Sequence, residues 1–167
     1  VNKDSDNHFA ENLFKMVGAF SGNNKNNSIE TKRITDLYLR QYNIPCENCN
    51  LNDGSGLSRR NLVTSEALLN ILVKSQFKDY WRGFEKTLAI AGIDGTLRNR
   101  MKGTKAENNL HGKTGTLRNV SALAGVLNAV DGDKLVFAYI FNGPSPGLYK
   151  SLENDMNTIL SEIKISK

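Results

Sequence analysis

The sequence predicts an α+β fold, and three observations carry that reading. Apolar residues recur at helical spacing through most of residues 1–109. Two short apolar runs, 122–128 and 135–141, flank Val130-Asp131-Gly132-Asp133, and a last helical pattern closes the chain over 147–163. Helices first, antiparallel strands next and a closing helix last is the order of an α+β domain, not the alternation of a parallel sheet. Residues 1–109 are therefore expected to be mainly helical, and 110–167 to hold strands and the closing helix.

Each element has its own signal. Phe9, Leu13, Met16, Val17 and Phe20 share one face at helical spacing, which predicts an amphipathic helix over 9–19. The Asn-rich run 21–27 breaks it as a loop. Ser28 can cap a second helix carrying Ile34, Leu37, Tyr38 and Tyr42, which must stop by Ile44 because Pro45 excludes helical geometry before it. Thr64 or Ser65 caps a third helix with Leu68, Leu69, Leu72 and Val73. Trp81, Phe84 and Leu88 predict a fourth, stopped at Gly92. Residues 111–117 read as a strand leading into a hairpin whose Asp131-Gly132 supplies the turn. The closing helix sets Leu148, Leu152, Met156, Ile159, Leu160 and Ile163 on one face. Two or three strands make a thin sheet, so further strands are expected.

Composition narrows the function classes. Apolar residues at 39% and charged residues at 23% of 167 positions fit a globular chain, not a collagen-like or wholly disordered one. No apolar run approaches the roughly 20 residues of a membrane span. The net charge of +5 comes from 22 Lys plus Arg against 17 Asp plus Glu. Those cations are scattered, so a basic cleft for a small anionic substrate accounts for them and nucleic acid is not an expected partner. Cys46 and Cys49 form a Cys-x-x-Cys after Pro45. Two thiols without a nearby histidine do not make a zinc site, and the Asn-rich flanks do not suit a redox motif. A surface turn with free or locally bridged thiols is expected, with no metal and no cofactor.

The chemistry-bearing motifs are short. About 1.5 Ser-x-Asn triplets are expected by chance in this composition, and two occur, at 5–7 and 21–23. Lys-Ser/Thr-Gly is rarer, at about 0.15 expected, and it occurs once, as Lys113-Thr114-Gly115. Taken singly, Ser5 reads as a cap for the first helix and Lys113 as a solvated strand lysine. The order of four segments is more specific: Ser5-Asp6-Asn7-His8-Phe9-Ala10-Glu11-Asn12-Leu13, Asp53-Gly54-Ser55-Gly56-Leu57-Ser58-Arg59-Arg60-Asn61, Asp94-Gly95-Thr96-Leu97 and Lys113-Thr114-Gly115-Thr116-Leu117.

In that order the segments resemble the C-terminal half of the D-Ala-D-Ala carboxypeptidase/endopeptidase class of low-molecular-mass penicillin-binding proteins, over nearly the whole chain. The resemblance implies part of a β-lactamase/penicillin-binding-protein transpeptidase-like fold. It also implies acyl transfer through a serine, with the motif set Ser-x-x-Lys, Ser-x-Asn and Lys-Thr-Gly. On that basis Ser5 passes a proton toward the leaving D-Ala nitrogen, and Asn7 holds the substrate amide and orients the base lysine. Lys113 forms the opposite wall and attracts the substrate carboxylate, an attraction of about 4 kcal/mol before desolvation at 4 Å and an effective dielectric near 20. Thr114 and Thr116 bind the same carboxylate, the Thr116 N–H serves as an oxyanion donor, and Gly115 lets substrate lie close to the strand. His8 and His111 border the motifs without a family role. Asp53 and its glycines read as a structural loop.

The family's Ser-x-x-Lys lies upstream of Ser-x-Asn, and only four residues precede Ser5. Two matches exist further on, at Ser75/Lys78 and Ser161/Lys164, where chance predicts about one. The first lies late in a helix and the second six residues from the end. A nucleophile wants a helix N-terminus, where free N–H groups and partial positive charge are available. The chain starts at Val1 and is expected to be a piece of a longer extracytoplasmic or periplasmic protein. It should need its own upstream half, be inactive alone, and act on peptidoglycan stem peptides and β-lactam antibiotics. A non-catalytic peptidoglycan- or penicillin-binding module and a β-lactamase are the alternatives, the latter lacking a visible deacylating-glutamate loop.

Overall fold

The computed structural model describes residues 1–21 and 27–165, so positions 22–26 of the loop expected over 21–27 lie outside the described residues, as do two of the three residues of the second Ser-x-Asn match. The chain divides into two compact units, one of Val1 with Asp6–Lys74 and one of Asn2–Ser5 with Ser75–Lys167.

The first unit is built on three helices, α1 (Asn7–Phe20), α2 (Asn27–Gln41) and α3 (Ser65–Ser75), the last ending at the unit boundary. Asp6, not Ser5, caps α1: its carboxylate accepts from the Phe9 N–H at 2.9 Å. Gly18 lets α1 and α2 approach, because a Cβ there would stand 1.9 Å from the Asn27 carbonyl oxygen. The Thr31 hydroxyl bonds across to the carbonyl of Phe14. Thr64 caps α3 by accepting from the Ala67 N–H at 3.0 Å. Leu39, Ile44 and Ala67 form a small core flanked by Tyr38, Tyr42, Ile71 and the Cys46–Cys49 disulfide, so the paired thiols are locally bridged. The face of α1 that carries Phe9, Leu13, Met16, Val17 and Phe20 is exposed, Phe20 to 84%.

The second unit holds α4 (Trp81–Glu85), β1 (Ala89–Ile90), a 3-10 turn (Gly95–Leu97), β2 (His111–Leu117), β3 (Val120–Asn128), β4 (Lys134–Asn142) and α5 (Pro146–Glu162). The strands form one antiparallel sheet in the order β1-β2-β3-β4. The fourth helix does not run to Gly92. It ends at Glu85, and Ala89 and Ile90 pair with Gly112 and His111 instead, because the sheet face beside β2 buries Ala89 completely. Gly92 then takes a left-handed turn at φ +73° into the 3-10 segment. Asn119, also left-handed at φ +66°, makes the tight β2–β3 turn, and Gly132 at +85° makes the β3–β4 turn.

The core of this unit gathers Ala89, Ala91, Leu97, Met101, Ala106, Leu110, Leu123, Leu127 and Phe137. The closing helix seats itself differently from its apolar pattern. Glu153, Asn157 and Ser161, spaced four apart, are buried, while Leu148, Leu152, Met156 and Ile159 are exposed. The buried line is tolerated because its charge is paired. Glu153, with a fully buried side chain, accepts from Arg100 at 2.9 Å and from the Ser121 hydroxyl at 2.8 Å. The adjacent Tyr139 phenol is pushed up to about 12 by burial and by the Glu153 charge.

Candidate active site

Strand β2 carries the site, and its alternation sorts the side chains. His111 and Lys113 project from one face, Thr114 and Thr116 from the other, the face shared with the paired residues Leu123 and Ser121. β1 pairs with β2 only at Gly112 and His111. From Lys113 onward β2 is bonded to β3 alone, so among the described residues its other edge is open, with Lys113 and the two threonines flanking it.

Lys113 does not stand in solvent. Its Nζ donates to the Ser5 hydroxyl at 2.7 Å and to the Thr114 carbonyl at 2.7 Å, joining residues 108 positions apart. Burial of the ammonium pushes its pKa below the ordinary lysine value. Ser5 holds φ +54°, a left-handed conformation uncommon for serine. Because Asp6 caps α1, the Ser5 hydroxyl is left for Lys113. Asn7 heads α1 in the first unit, where it is exposed. Thr114 Oγ1 donates to Thr96 Oγ1 at 2.9 Å, Thr116 is exposed, and a Cβ added at Gly115 would meet nothing nearer than the Ala122 Cβ at 3.4 Å. Packing within the sheet therefore does not require glycine at 115.

Three residues of this cluster were not singled out by sequence reasoning: Lys3, Asp94 and Thr96. Lys3 Nζ is paired with Asp94, and the Thr96 N–H donates to the Lys3 carbonyl at 3.0 Å. The segment Asp94-Gly95-Thr96-Leu97 was the available signal, since it stands among the four ordered segments. His8 is exposed on α1, and His111 keeps a buried Nδ1 without a partner.

Neither internal Ser-x-x-Lys match has the geometry of a nucleophile. Ser75 is the last residue of α3 and buried, within reach of the Tyr80 hydroxyl, and Ser161 is buried with its hydroxyl spent on the Thr158 carbonyl at 2.6 Å. In both, the lysine lies beyond the end of the helix that holds the serine. Among the described residues no group of three or more His, Cys, Asp or Glu could hold a metal ion, and no helix is long and apolar enough to cross a membrane.

Residues 1–163 match the model of the D-Ala-D-Ala carboxypeptidase 3 (S13) family. The chain belongs to that family. Among relatives, a D-alanyl-D-alanine carboxypeptidase of Actinomadura sp. (strain R39) is 42% identical over 100 residues, covering 57% of this chain and 18% of the relative. The D-alanyl-D-alanine carboxypeptidase DacB of Haemophilus influenzae is 34% identical over 148 residues, 87% of this chain and 31% of the relative. A crystal structure of penicillin-binding protein 4 (dacB) from H. influenzae, complexed with a β-lactam, superposes with a TM-score of 0.82 at 29% identity. It covers 97% of this chain and 40% of that one. The Bd0816 predatory endopeptidase of Bdellovibrio bacteriovorus, at 19% identity and TM-score 0.73, shares the fold. The chain thus spans at most about a third of the length of these curated relatives.

Proposed function

We propose that these residues form part of a serine-type D-Ala-D-Ala carboxypeptidase/endopeptidase that works through an acyl-enzyme on peptidoglycan stem peptides. The observation that carries the reading is the 2.7 Å contact between Lys113 Nζ and Ser5 Oγ beside the open edge of β2. Acyl transfer needs a nucleophile, a base, a donor for the leaving amine and an oxyanion hole. In this reading the Ser5 hydroxyl, polarised by Lys113, hands a proton to the departing D-Ala nitrogen. Lys113 draws in the terminal carboxylate, assisted by the Thr114 and Thr116 hydroxyls. The stem peptide lies along β2 as an added strand, with the Thr116 N–H facing the developing oxyanion and Gly115 leaving room for close approach. Asn7 is assigned to the substrate amide on the Ser-x-Asn motif alone. β-Lactams, which carry a matching carboxylate and acyl bond, enter by the same route.

The attacking serine and its lysine lie, in this proposal, on the upstream half of the same protein, and the 167 residues alone are inactive. The burial of Ser75 and Ser161 supports that division. So do the exposed apolar lines on α1 and α5, which suit coverage by further protein of the same chain. Peptidoglycan as substrate places the protein outside the cytoplasm. Peptide mapping of the full-length protein after labelling with a fluorescent penicillin tests the reading. The label is expected on a Ser-x-x-Lys serine outside residues 1–167; label on Ser5, Ser75 or Ser161, or none at all, overturns it.

A further inference from the structure

Ser5 sits in a short segment whose conformation is not set by any helix or strand, yet its hydroxyl must meet Lys113 to within a few tenths of an ångström. Three contacts fasten that segment. The Asn2 amide donates to the Thr87 hydroxyl at 2.7 Å, Lys3 Nζ pairs with Asp94 Oδ2, and the Thr96 N–H donates to the Lys3 carbonyl at 3.0 Å. Gly95, at φ +54°, permits the close pass, because a Cβ there would stand 2.4 Å from the Lys3 carbonyl oxygen. Asp94 is the junction. Its second oxygen, Oδ1, accepts from the Ile90 N–H at 2.8 Å, so one carboxylate ties the end of β1 to the Ser5 segment. From Thr96 the connection returns to β2 through Thr114, the neighbour of Lys113.

We infer that Lys3 and Asp94 are positioning residues: their ion pair holds the Ser5 segment against the 94–96 turn and thereby sets the Ser5 hydroxyl on the Lys113 ammonium. The inference rests on the proposed acyl-transfer reading of the same site. A merely stabilising pair is the competing account. Both side chains are about one-third exposed (34% and 33%), and pairs so exposed contribute little to global stability. Proton transfer is far more sensitive to position, since a displacement near 1 Å can cost on the order of 100-fold in rate. The two accounts therefore predict different readouts.

The test uses the full-length protein and a fluorescent penicillin, with the acylation rate constant and the dissociation constant measured separately. Lys3→Met is expected to lower the rate constant roughly 10- to 100-fold with binding changed by less than about threefold and the melting temperature nearly unchanged. Lys3→Arg, which keeps the pair, should restore the rate. Lys3→Met/Asp94→Asn should be no slower than the slower single variant, as members of one pair are not additive. A wild-type rate in Lys3→Met, or a loss that follows a fall in melting temperature, overturns the inference. A crystal structure of full-length Lys3→Met gives a readout independent of chemistry. Ser5 Oγ displaced from Lys113 Nζ supports the positioning role even if wild-type protein takes no penicillin, which would sink only the acyl-transfer reading. Ser5 left within hydrogen-bonding distance overturns the positioning role whatever the wild type does.

Discussion

Two polar clusters in this molecule look alike in sequence and behave oppositely in structure. In the first unit, the Asp53 carboxylate accepts from the N–H groups of Gly56 and Ser58, the Ser55 hydroxyl and the Asn61 amide, at 2.6 to 3.1 Å. Burial alone would raise its pKa, but those donors outweigh burial and hold the carboxyl below its ordinary value. These four bonds lie within residues 53–61, and the Gly54 N–H ties the loop to α1 by donating to the Glu11 carboxylate at 2.8 Å. In the second unit, Lys113 meets Ser5 beside a strand edge that, among the described residues, no other strand covers. The first arrangement is complete without a ligand, and the second has an edge to offer one. Distinctiveness of sequence and chemical reactivity thus part company: the Asp53 segment is one of the four that carry the family resemblance, yet its hydrogen bonds hold a loop in shape.

Breaking the two clusters should separate activity from stability. The largest effect is expected from Lys113→Ala in the full-length protein. Penicillin acylation should fall by roughly 100- to 10,000-fold, with a melting temperature close to wild type, as the loss of a group that moves or steers a proton predicts. Stopped-flow labelling and calorimetry on one sample check both halves. Arg100→Met is the largest expected blow to the fold. It strands the buried Glu153 carboxylate and should cost about 3–5 kcal/mol in denaturant unfolding. Asp53→Ala removes the acceptor for four donors and should cost about 2–4 kcal/mol. Acylation per folded molecule should survive it. A Lys113→Ala variant that melts early but acylates normally when folded would erase the contrast.

Much of the fold was legible because periodicity and turn chemistry are local. The strand over 111–117 and the Asp-Gly hairpin follow from alternation and from Gly132, and the closing helix from its spacing. The helix expected to run to Gly92 was misjudged for a non-local reason: Leu88 keeps helical spacing with Trp81 and Phe84, but Ala89 and Ile90 gain a sheet partner some twenty residues away. The seating of α5 was hidden for the same reason, since nothing in 147–163 reveals that Arg100 pairs the Glu153 charge and Ser121 donates to it. At the candidate site, motif order singled out Ser5 and Lys113, whose side chains the structure brings to 2.7 Å. Asp94 stood in one of the ordered segments, but its pairing with Lys3 was hidden because an ion pair between positions 91 apart leaves no trace in a single sequence.

The mildest test contrasts the clusters by pH, and the signs differ. Asp53 has a depressed pKa, so its stabilisation is in force above the ordinary carboxylate range and is lost as pH falls through the lowered value. That loop should fail in acid, as melting. Lys113 is also depressed, by burial, but it is a cation, so it loses its proton at a lower pH than an ordinary lysine. Its attraction for a carboxylate should disappear as pH rises through that lowered value. The fold does not weaken over the same interval on account of Lys113. There the unfolded chain binds the proton more tightly than the folded one, so raising pH favours the folded state. The second-order acylation rate constant, which reports the free enzyme, should therefore show an alkaline limb below 10.5 with no parallel fall in melting temperature. Lys113→Arg, whose guanidinium keeps its charge throughout, should lack that limb whatever its absolute rate. An unchanged limb in Lys113→Arg would assign the titration to another group and leave Lys113 without a proton-linked role.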